Sequence, residues 1–433
     1  MKNEILDKIL KGNKSLIVEG GLSSGKTTNV LFPLVDELIE KNESLLLLDS
    51  KEEYLNKYYK KLKDNGYNTI VINLRDPKFS EGWNPLSYPY DLYKSGNTDY
   101  AQEQIEKISK TFFYIKEVID PFWIDTARDF FTGLTLALIE DAEKEEVNLN
   151  SVYNMFNGVG KKYGAKDYIN VYFDKKDVNS KPYIFASSTI LAPNETKGGI
   201  LATARQKLRL YISRENLSKL LSKTTFDFES IKDTKTAIII IGKDDSNHYV
   251  NQIASLFVDQ LYAFLVDNKL NNKMNLILDN FDNIENCFGI TDILSSGISR
   301  NIKTVIATRS LKDLIGKYGN SINYLCDLIK INNDSIDITV NNINSKIDKN
   351  FESVTISRTD VELKELETKE IKIFSLEDYV HKNINLPKQG EPSMMENPFK
   401  VDDLIKKIDD KLEELDKEEK KKSDASVFNS FKI

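Results

Sequence analysis

The chain has 433 residues, 40% hydrophobic and 29% charged, a composition typical of a soluble globular protein with two or three folded units. Its 60 basic and 67 acidic residues give a net charge of −7, which excludes a general attraction to nucleic acid, so any DNA contact must come from a local patch or an assembled pore. Its two cysteines, Cys287 and Cys326, and its two histidines are too few for a disulfide framework or a structural zinc site.

The amino terminus and the apolar runs argue against export and membrane insertion. Residues 1–5 contain no apolar core of a signal peptide. The longest apolar runs, residues 45–48 and 237–241, are far shorter than the roughly 20 residues that a spanning helix needs. We therefore expect a cytoplasmic chain without a transmembrane segment, which reaches the inner face of the membrane only through a partner.

The first hundred residues alternate between strand and helix patterns. Residues 15–19 predict a strand, and residues 26–41 predict a helix that Pro33 should kink. Residues 45–48 are apolar throughout, as expected of a central parallel strand covered on both faces, and residues 69–73 predict another strand. This alternation predicts an α/β sheet.

Helical patterns replace strands after about residue 98. Residues 102–116, 121–145 and 148–156 have helical spacing, and helical or irregular segments continue to about residue 213. Phe122 and Trp123 are the most obvious aromatic pair there, and core packing is the simplest interpretation of them. The pattern predicts an inserted all-α domain over residues 98–213.

Strands return in the second half of the chain. They are predicted at residues 236–241, 275–278, 304–307 and 326–331, with a helix over residues 251–268. The α/β domain is therefore discontinuous, formed by residues 1–97 and 214–349. Residues 350–433 are polar and charged and are interpreted as a tail with little core, in which residues 406–422 form a charged helix or a disordered run.

A phosphate-binding loop is the most specific motif. Residues 20–27 match G-x-x-x-x-G-K-[ST] in full, after a predicted strand and before a predicted helix. Backbone N–H groups and the helix amino terminus attract phosphate, Lys26 is expected to reach the β- and γ-phosphates of ATP, and the Thr27 hydroxyl is expected to bind Mg²⁺. The predicted nucleotide-binding residues are Gly20, Gly21, Leu22, Ser23, Ser24, Gly25, Lys26, Thr27 and Thr28.

A magnesium carboxylate is expected at the end of another strand. An apolar strand pattern ends in Asp279, so Thr27 and Asp279 are the predicted metal-binding residues. Many ATPases of this type have a Glu next that orients the attacking water, whereas this chain has Asn280, whose amide cannot take a proton. Asp282 or Glu285 are substitutes with an unusual spacing, so we expect better binding of nucleotide than hydrolysis.

Residues 49–53, Asp-Ser-Lys-Glu-Glu, close the strand that follows the phosphate-loop helix. That edge of an open α/β sheet is where ligands bind. A solvated charged loop is an equally good interpretation of these residues alone. Both alternatives stay open at the level of the sequence.

Several blocks, in order, resemble the coupling ATPases of type IV secretion and conjugation, the TraG/TraD type, over about residues 15–345. The phosphate loop with Pro33 resembles the family's version, and LLLLDSKEEY resembles its Asp-Pro-Lys-Gly-Glu segment, with Ser50 and Glu52 replacing Pro and Gly. The other blocks are Asn-Pro-Leu at residues 84–86, DPFWIDTARDFFTGL, TKGGILATARQKL, TTFDFESIKDTKTAIIII, ILDNFDNI and SSGISRNIKTVIATRSLKDLIGKYG.

The resemblance implies a RecA-like P-loop NTPase domain, a mostly parallel sheet with helices on both faces, carrying an inserted all-α domain. It implies homo-hexameric rings that bind ATP and Mg²⁺ at subunit interfaces. Arg300 matches an arginine of the family pattern and is expected to act across such an interface. The implied partners are DNA or a relaxase–DNA complex and the membrane-anchored components of a secretion channel.

The sequence departs from the family pattern at three points. Asn280 replaces the Glu after the magnesium carboxylate, Arg309 replaces the Gln expected after the next strand, and the amino-terminal membrane helices are not found. The candidate catalytic residues are therefore Lys26, Asp279, Asn280, Arg300 and Arg309.

Two functions from different classes fit these observations. The favoured one is an ATPase that recruits or pumps DNA, or a nucleoprotein or protein substrate, to a type IV secretion or conjugation channel. The alternative, motivated by Asn280 and Arg309, is a nucleotide-binding docking subunit with weak or no hydrolysis. A small-molecule kinase is disfavoured, because no acceptor site is recognisable beside the long helical insertion.

Overall fold

The computed structural model describes Leu6, Ile9 and residues 12–116, 120–244, 249–268, 270–284, 286–340, 342–348, 361–366 and 370–383. The chain divides into two units, Met1–Asp378 and Tyr379–Ile433. The sheet, the helical region and the candidate site lie in the first unit. The second is described only over residues 379–383, which are helical.

A nine-stranded, mostly parallel sheet forms the centre of the first unit. The strands of the unit are β1 (Ser15–Gly20), β2 (Ser44–Asp49), β3 (Asn68–Asn73), β4 (Lys162–Tyr163), β5 (Lys166–Asp167), β6 (Thr236–Ile241), β7 (Met274–Leu278), β8 (Ile302–Thr308), β9 (Cys326–Ile331), β10 (Ser335–Val340) and β11 (Ile343–Asp348). The sheet order is β11-β10-β9-β1-β8-β7-β2-β6-β3, and β4 and β5 form a separate hairpin. Strand β10 pairs antiparallel with both β9 and β11, and the other described pairings of this sheet are parallel.

Apolar composition places β2 and β6 inside the sheet. Every residue of both strands is buried, which requires a layer of helices on each face. On one face, Leu45 and Leu47 of β2 pack in a core cluster with Val35 and Leu38 of the helix Phe32–Glu40 and with Tyr54 of the helix Glu53–Asp64. The strands predicted from the sequence at these positions are confirmed.

The helix predicted over residues 26–41 changes type along its length. A π-helical turn, Lys26–Leu31, precedes the α-helix Phe32–Glu40. Pro33 lies in the first turn of the α-helical part. Proline has no N–H to donate, so it disturbs the hydrogen-bond ladder of the preceding turn. The change in helix type lies directly before Pro33, where the sequence predicts a kink.

Helices dominate the chain between β3 and β6, as predicted. They are Ser87–Lys94, Thr98–Phe112, Pro121–Asp141, Leu149–Asn157, Tyr168–Phe173, Lys181–Ile190, Asn194–Ile212, Glu215–Leu220 and Ser230–Asp233, with a 3₁₀ turn at Lys144–Glu146. The hairpin of β4 and β5 departs from an all-α segment. The remaining helices of the sheet domain are Tyr249–Asp267, Ile290–Ser296, Leu311–Tyr318 and Ile322–Leu325, with 3₁₀ turns at Phe281–Asn283 and Ile298–Arg300. Among the helices that the structure describes, none is long and apolar enough to cross a bilayer.

Part of the predicted carboxy-terminal tail contributes to the core. Phe374 and Leu376 are buried, and the Phe374 backbone N–H donates to Ser151 Oγ at 2.9 Å. Asn148 Nδ2 donates to the Lys372 carbonyl at 2.8 Å. The interpretation of residues 350–433 as a tail with little core is therefore wrong at Phe374 and Leu376. Residues 406–422 lie outside the described part of the chain.

Candidate nucleotide-binding site

Parallel strands bring four loops to one edge of the sheet. The phosphate loop follows β1, residues 49–53 follow β2, Asp279 follows β7 and Arg309 follows β8. These strands are parallel and neighbouring, with Glu19 of β1 paired to Thr308 of β8. Their carboxyl ends therefore meet, which is the edge where open α/β sheets bind ligands.

The phosphate loop folds back around the Lys26 side chain. Gly25, with φ of 90°, and Ser23, with φ of 55°, adopt left-handed conformations that turn the chain into the helix. Lys26 Nζ donates to the carbonyl oxygens of Gly20, at 2.5 Å, and Gly21, at 2.9 Å. Burial lowers the pKa of Lys26, whereas the nearby carboxylate of Asp279 raises it.

The loop has the features of a phosphate cradle. A Cβ at Gly20 would lie 2.5 Å from Ser24 Oγ, so a larger residue there would displace the Ser24 hydroxyl, and Gly21 faces open space. The Ser24 hydroxyl is buried in the loop without a hydrogen-bond partner among the described residues. An unpaired hydroxyl beside an open backbone and a lysine fits an anionic oxygen ligand. Leu22 projects outward and is 79% exposed.

Thr27 and Asp279 meet behind the loop. Thr27 Oγ1 donates to Asp279 Oδ2 at 2.7 Å, and the Tyr54 hydroxyl donates to the same oxygen at 3.1 Å. Burial raises the pKa of Asp279, and the hydrogen bonds from Thr27, from the Asn280 backbone and from Tyr54 oppose that rise. A hydroxyl and a carboxylate at one point fit Mg²⁺, which takes one or two protein ligands and keeps several waters.

The Asn280 side chain turns toward the loop that follows β2. Its Nδ2 donates to Ser50 Oγ at 3.1 Å, and its backbone N–H donates to Asp279 Oδ1 at 2.8 Å. Asn280 itself has a left-handed conformation, with φ of 52° and ψ of 42°. The Asn280 amide therefore connects the end of β7 to the end of β2. Its backbone conformation is one that Asn tolerates better than most residues.

Arg309 lies at the same edge, bound to Asp282. The backbone N–H of Arg309 and its Nε donate to Asp282 Oδ2 at 2.8 and 3.3 Å, and Thr308 Oγ1 donates to Asp282 Oδ1 at 2.6 Å. The Arg309 side chain is 45% exposed. Arg309 follows Thr308, which pairs with Glu19 directly before the phosphate loop, so the pair lies beside that loop.

Arg300 is not brought together with the other candidates. It belongs to the turn Ile298–Arg300, which precedes β8, so it lies at the opposite edge of the sheet from the phosphate loop. At about 3.3 Å per residue, a strand of seven residues separates the two edges by roughly 20 Å. Its Nη1 donates to the Val266 carbonyl at 3.1 Å. Within one chain, Arg300 does not reach its own nucleotide site.

Three residues of this site have roles that the sequence pattern does not predict. Asp49 accepts backbone hydrogen bonds from Lys51, Glu53 and Leu55 at 3.2, 3.0 and 2.9 Å, which fixes the start of the helix Glu53–Asp64. Burial raises the pKa of Asp49 to about 6. Tyr54 and Ser50 bind Asp279 and Asn280. The available signal was their position after a buried strand, and the adjacency of β2 to β7 was not readable from the sequence.

Comparison with known protein families agrees with the resemblance found in the sequence. The family described as type IV secretory system conjugative DNA transfer matches residues 8–353. No curated protein matches the sequence.

Solved structures share the fold. The bacterial conjugative coupling protein TrwB in complex with sulphate has a TM-score of 0.54 at 13% identity, over 78% of each chain. TrwB with ADP and Mg²⁺ gives the same TM-score and identity over 77% of this chain and 78% of that one. TrwB with a non-hydrolysable ATP analogue gives a TM-score of 0.53. The predicted RecA-like fold with an inserted helical domain is confirmed. The family match over most of the sequence shows that the chain belongs to the type IV secretory system conjugative DNA transfer family.

Proposed function

We propose that this chain is an ATP-driven coupling protein that delivers DNA, or a nucleoprotein carrying it, to a type IV secretion channel. The observation that carries the proposal is the Thr27–Asp279 contact of 2.7 Å directly behind a complete phosphate loop. Membership of the conjugative DNA transfer family indicates the process in which the chain takes part. The TrwB complexes with ADP and Mg²⁺ and with an ATP analogue support ATP and Mg²⁺ as the ligands.

The geometry supports a role for each residue of the site in this proposal. Lys26, now bound to two loop carbonyls, releases them to hold the β- and γ-phosphates. Thr27 and Asp279 hold Mg²⁺, which supplies charge stabilisation at the phosphates when bound. Arg309 exchanges part of its contact with Asp282 for the phosphate or for a neighbouring subunit.

DNA binding in this proposal depends on assembly. The net charge of −7 gives a single chain no general attraction for DNA. A homo-hexameric ring would gather lysines and arginines from several subunits around one pore, and the salt dependence of binding would report how many phosphates they neutralise. Channel components at the membrane are the proposed docking partners.

The test is steady-state ATP hydrolysis of the purified chain with Mg²⁺, at rising protein concentration, with and without single-stranded DNA. Lys26→Ala is the control, because it removes the amino group that is proposed to bind the phosphates. Hydrolysis that DNA stimulates and Lys26→Ala abolishes supports the coupling ATPase. ATP binding without turnover at every concentration and with every DNA would reject it.

A nucleotide-gated docking subunit is the second candidate, and the Asn280–Ser50 hydrogen bond of 3.1 Å favours it. In that case ATP orders the site, and no carboxylate at position 280 activates water. Asn280→Glu should then create or raise turnover in a chain that binds ATP but hydrolyses it poorly. A fast wild-type rate that Asn280→Glu leaves unchanged or lowers would remove the basis of this candidate.

A further inference from the structure

Most carboxylates around the predicted magnesium site already accept hydrogen bonds from other groups. Asp49 accepts three backbone hydrogen bonds, and Asp282 is held by Thr308 and Arg309. Glu19 accepts from the Leu311 backbone at 3.0 Å. The oxygens of these carboxylates are occupied by their donors, so they are poorly placed to hold an attacking water and take its proton. Glu285, the other substitute considered from the sequence, lies outside the described residues.

Glu53 is held rigidly at the same edge. It is the first residue of the helix Glu53–Asp64, and its backbone N–H donates to Asp49 Oδ1 at 3.0 Å. The next residue, Tyr54, donates its hydroxyl to Asp279 Oδ2 at 3.1 Å. The first turn of this helix is therefore tied both to its own strand end and to the predicted magnesium carboxylate.

The Glu53 side chain is available for chemistry. Within the described part of the chain, no hydrogen bond or ion pair engages its carboxylate. The residue is half-buried, and burial raises its pKa, with Asp279 adding to the rise and Lys51 opposing it. The hydroxyl of the adjacent Tyr54 lies 3.1 Å from Asp279 Oδ2, so the start of this helix lies beside the predicted magnesium site. A partly desolvated carboxylate is a better base than a solvated one.

We propose that the Glu53 carboxylate orients the attacking water and accepts its proton, in the role that the Glu replaced by Asn280 would otherwise have. This inference rests on the ATPase activity proposed above. The water oxygen bonds to the γ-phosphorus, and the bond from that phosphorus to the β–γ bridging oxygen breaks, leaving its electron pair on ADP. Glu53 takes the proton of the water and later returns it to solvent, so that ATP and water give ADP, phosphate and a proton.

The test compares Glu53→Gln with Glu52→Gln in the full chain. Gln keeps the size of the side chain and removes only its basicity. Glu52 is the adjacent carboxylate, with a left-handed backbone at φ of 62° that both Glu and Gln must adopt. We expect Glu53→Gln to lower kcat by about 100-fold or more, the usual contribution of a general base, and Glu52→Gln to leave it within about twofold.

Binding separates a chemical role from a structural one. In Glu53→Gln, the Kd for a non-hydrolysable ATP analogue should stay within about threefold of the wild-type value. Such a change in binding free energy is less than the roughly 1.4 kcal/mol of a tenfold change in Kd. This variant should also retain intact ATP after an incubation in which the wild-type chain holds ADP. Asn280→Glu added to Glu53→Gln should recover part of the lost turnover.

Each contrary result has a distinct meaning. Glu53→Gln with the wild-type kcat, beside an inactive Lys26→Ala, overturns the role of Glu53 and leaves the ATPase standing. Loss of analogue binding together with kcat also overturns it, because the residue then only supports the site. A wild-type chain that binds ATP and never hydrolyses it removes both the ATPase and the base.

Discussion

Asn280 adopts a left-handed helical conformation immediately after the buried Asp279. Asn visits this region several times more often than most residues, because its short polar side chain bonds locally. The side-chain bond to Ser50 then joins the loop after β7 to the loop after β2. Position 280 therefore has a structural requirement, independent of hydrolysis, that a Glu would meet less well.

Replacing Asn280 by Ala should lower the free energy of unfolding by about 1–2 kcal/mol, through left-handed strain and the lost bond to Ser50. Asn280→Gly loses the same bond without the strain. We expect Gly to be the more stable of the two by about 1 kcal/mol in urea denaturation. Equal stabilities would show that the backbone conformation at this position carries no cost.

Thr27 should control the dependence of nucleotide binding on Mg²⁺. Thr27→Ser keeps the hydroxyl that contacts Asp279, whereas Thr27→Ala removes it. Titration calorimetry with an ATP analogue should show that Mg²⁺ strengthens binding to wild-type and Thr27→Ser, and has little effect on Thr27→Ala. Equal enhancement by Mg²⁺ in all three would remove Thr27 from the metal site.

At the scale of single residues, the sequence predicted what a contiguous motif encodes. Gly20 to Thr27 form one local loop, and Asp279 was found because carboxylates at the ends of apolar strands are a recurrent partner of that loop. Tyr54 and Ser50 needed the pairing of β2 with β7, which depends on contacts between residues some 230 positions apart. No local pattern reports such a pairing.

Among the helices, close packing in the inserted region depends on Gly133 of the helix Pro121–Asp141. A Cβ there would lie 2.8 Å from the Ala186 backbone nitrogen and 2.9 Å from the Pro182 carbonyl oxygen, both in the helix Lys181–Ile190. Backbone atoms cannot move aside singly, so the two helices would have to separate.

Gly133→Ala should therefore destabilise the chain by about 1–3 kcal/mol, the usual cost of overpacking. Gly198→Ala is the matched control in the helix Asn194–Ile212, where an added Cβ meets nothing within 4 Å. It should stabilise the chain by up to about 1 kcal/mol. Thermal and urea unfolding measure both, and the same sign of change for the two variants would contradict the packing argument.

Asp259 links the helix Tyr249–Asp267 to the loop after β7. Its carboxylate accepts hydrogen bonds from the Cys287 thiol and from the backbones of Phe288 and Gly289, each at 3.0 Å. Burial nevertheless raises its pKa to about 6. Because an unfolded Asp titrates near 4, the folded chain binds more protons between about pH 4 and 6, and this group's contribution to stability falls as pH rises through that window.

Asp259→Asn should show this linkage directly. The variant loses an acceptor and is less stable than wild type, but it lacks the titration. The gap in unfolding free energy between the two should narrow by about 2–3 kcal/mol from pH 4 to pH 7, and stay constant above pH 7. Urea denaturation across this range measures it, and a gap that widens with pH would reverse the assignment.

At the scale of elements, long apolar strands were predictable and the sheet edge was not. Residues 326–331 were predicted as a strand and form β9 with the same bounds. Strands β10 and β11 were not predicted. The alternating sequence of β10, Ser-Ile-Asp-Ile-Thr-Val, was a readable signal, whereas β11 is an edge strand of mixed composition, Ile-Asn-Ser-Lys-Ile-Asp, paired with β10 alone among the described strands. An edge strand buries less apolar surface, so its sequence has less periodicity to detect.

The whole molecule places its candidate catalytic groups at two edges of the sheet. Lys26, Thr27, Asp279 and Arg309 converge at the carboxyl ends of the strands, whereas Arg300 precedes β8 at the other edge. A strand length separates them, so one chain cannot bring Arg300 to its own phosphates. If Arg300 acts in catalysis, the groups must come from two copies of the chain, as a ring would provide.

Mixing two inactive variants tests this arrangement. Lys26→Ala removes phosphate binding. Arg300→Ala removes the arginine and leaves the nucleotide site of the same chain intact. Each variant alone should hydrolyse ATP at least about 10-fold more slowly than wild type, a smaller loss of rate than removal of an arginine supplied in trans usually causes. In an equal mixture, some interfaces pair the intact Lys26 of one chain with the intact Arg300 of another, so hydrolysis should exceed the sum of the separate variants. ATP-analogue binding to Arg300→Ala should stay at the wild-type level, because Arg300 does not touch its own site. An Arg300→Ala variant with full activity would show that the exposed guanidinium only holds the Val266 carbonyl. A mixture no more active than its parts would mean that Arg300 acts without reaching a neighbouring site.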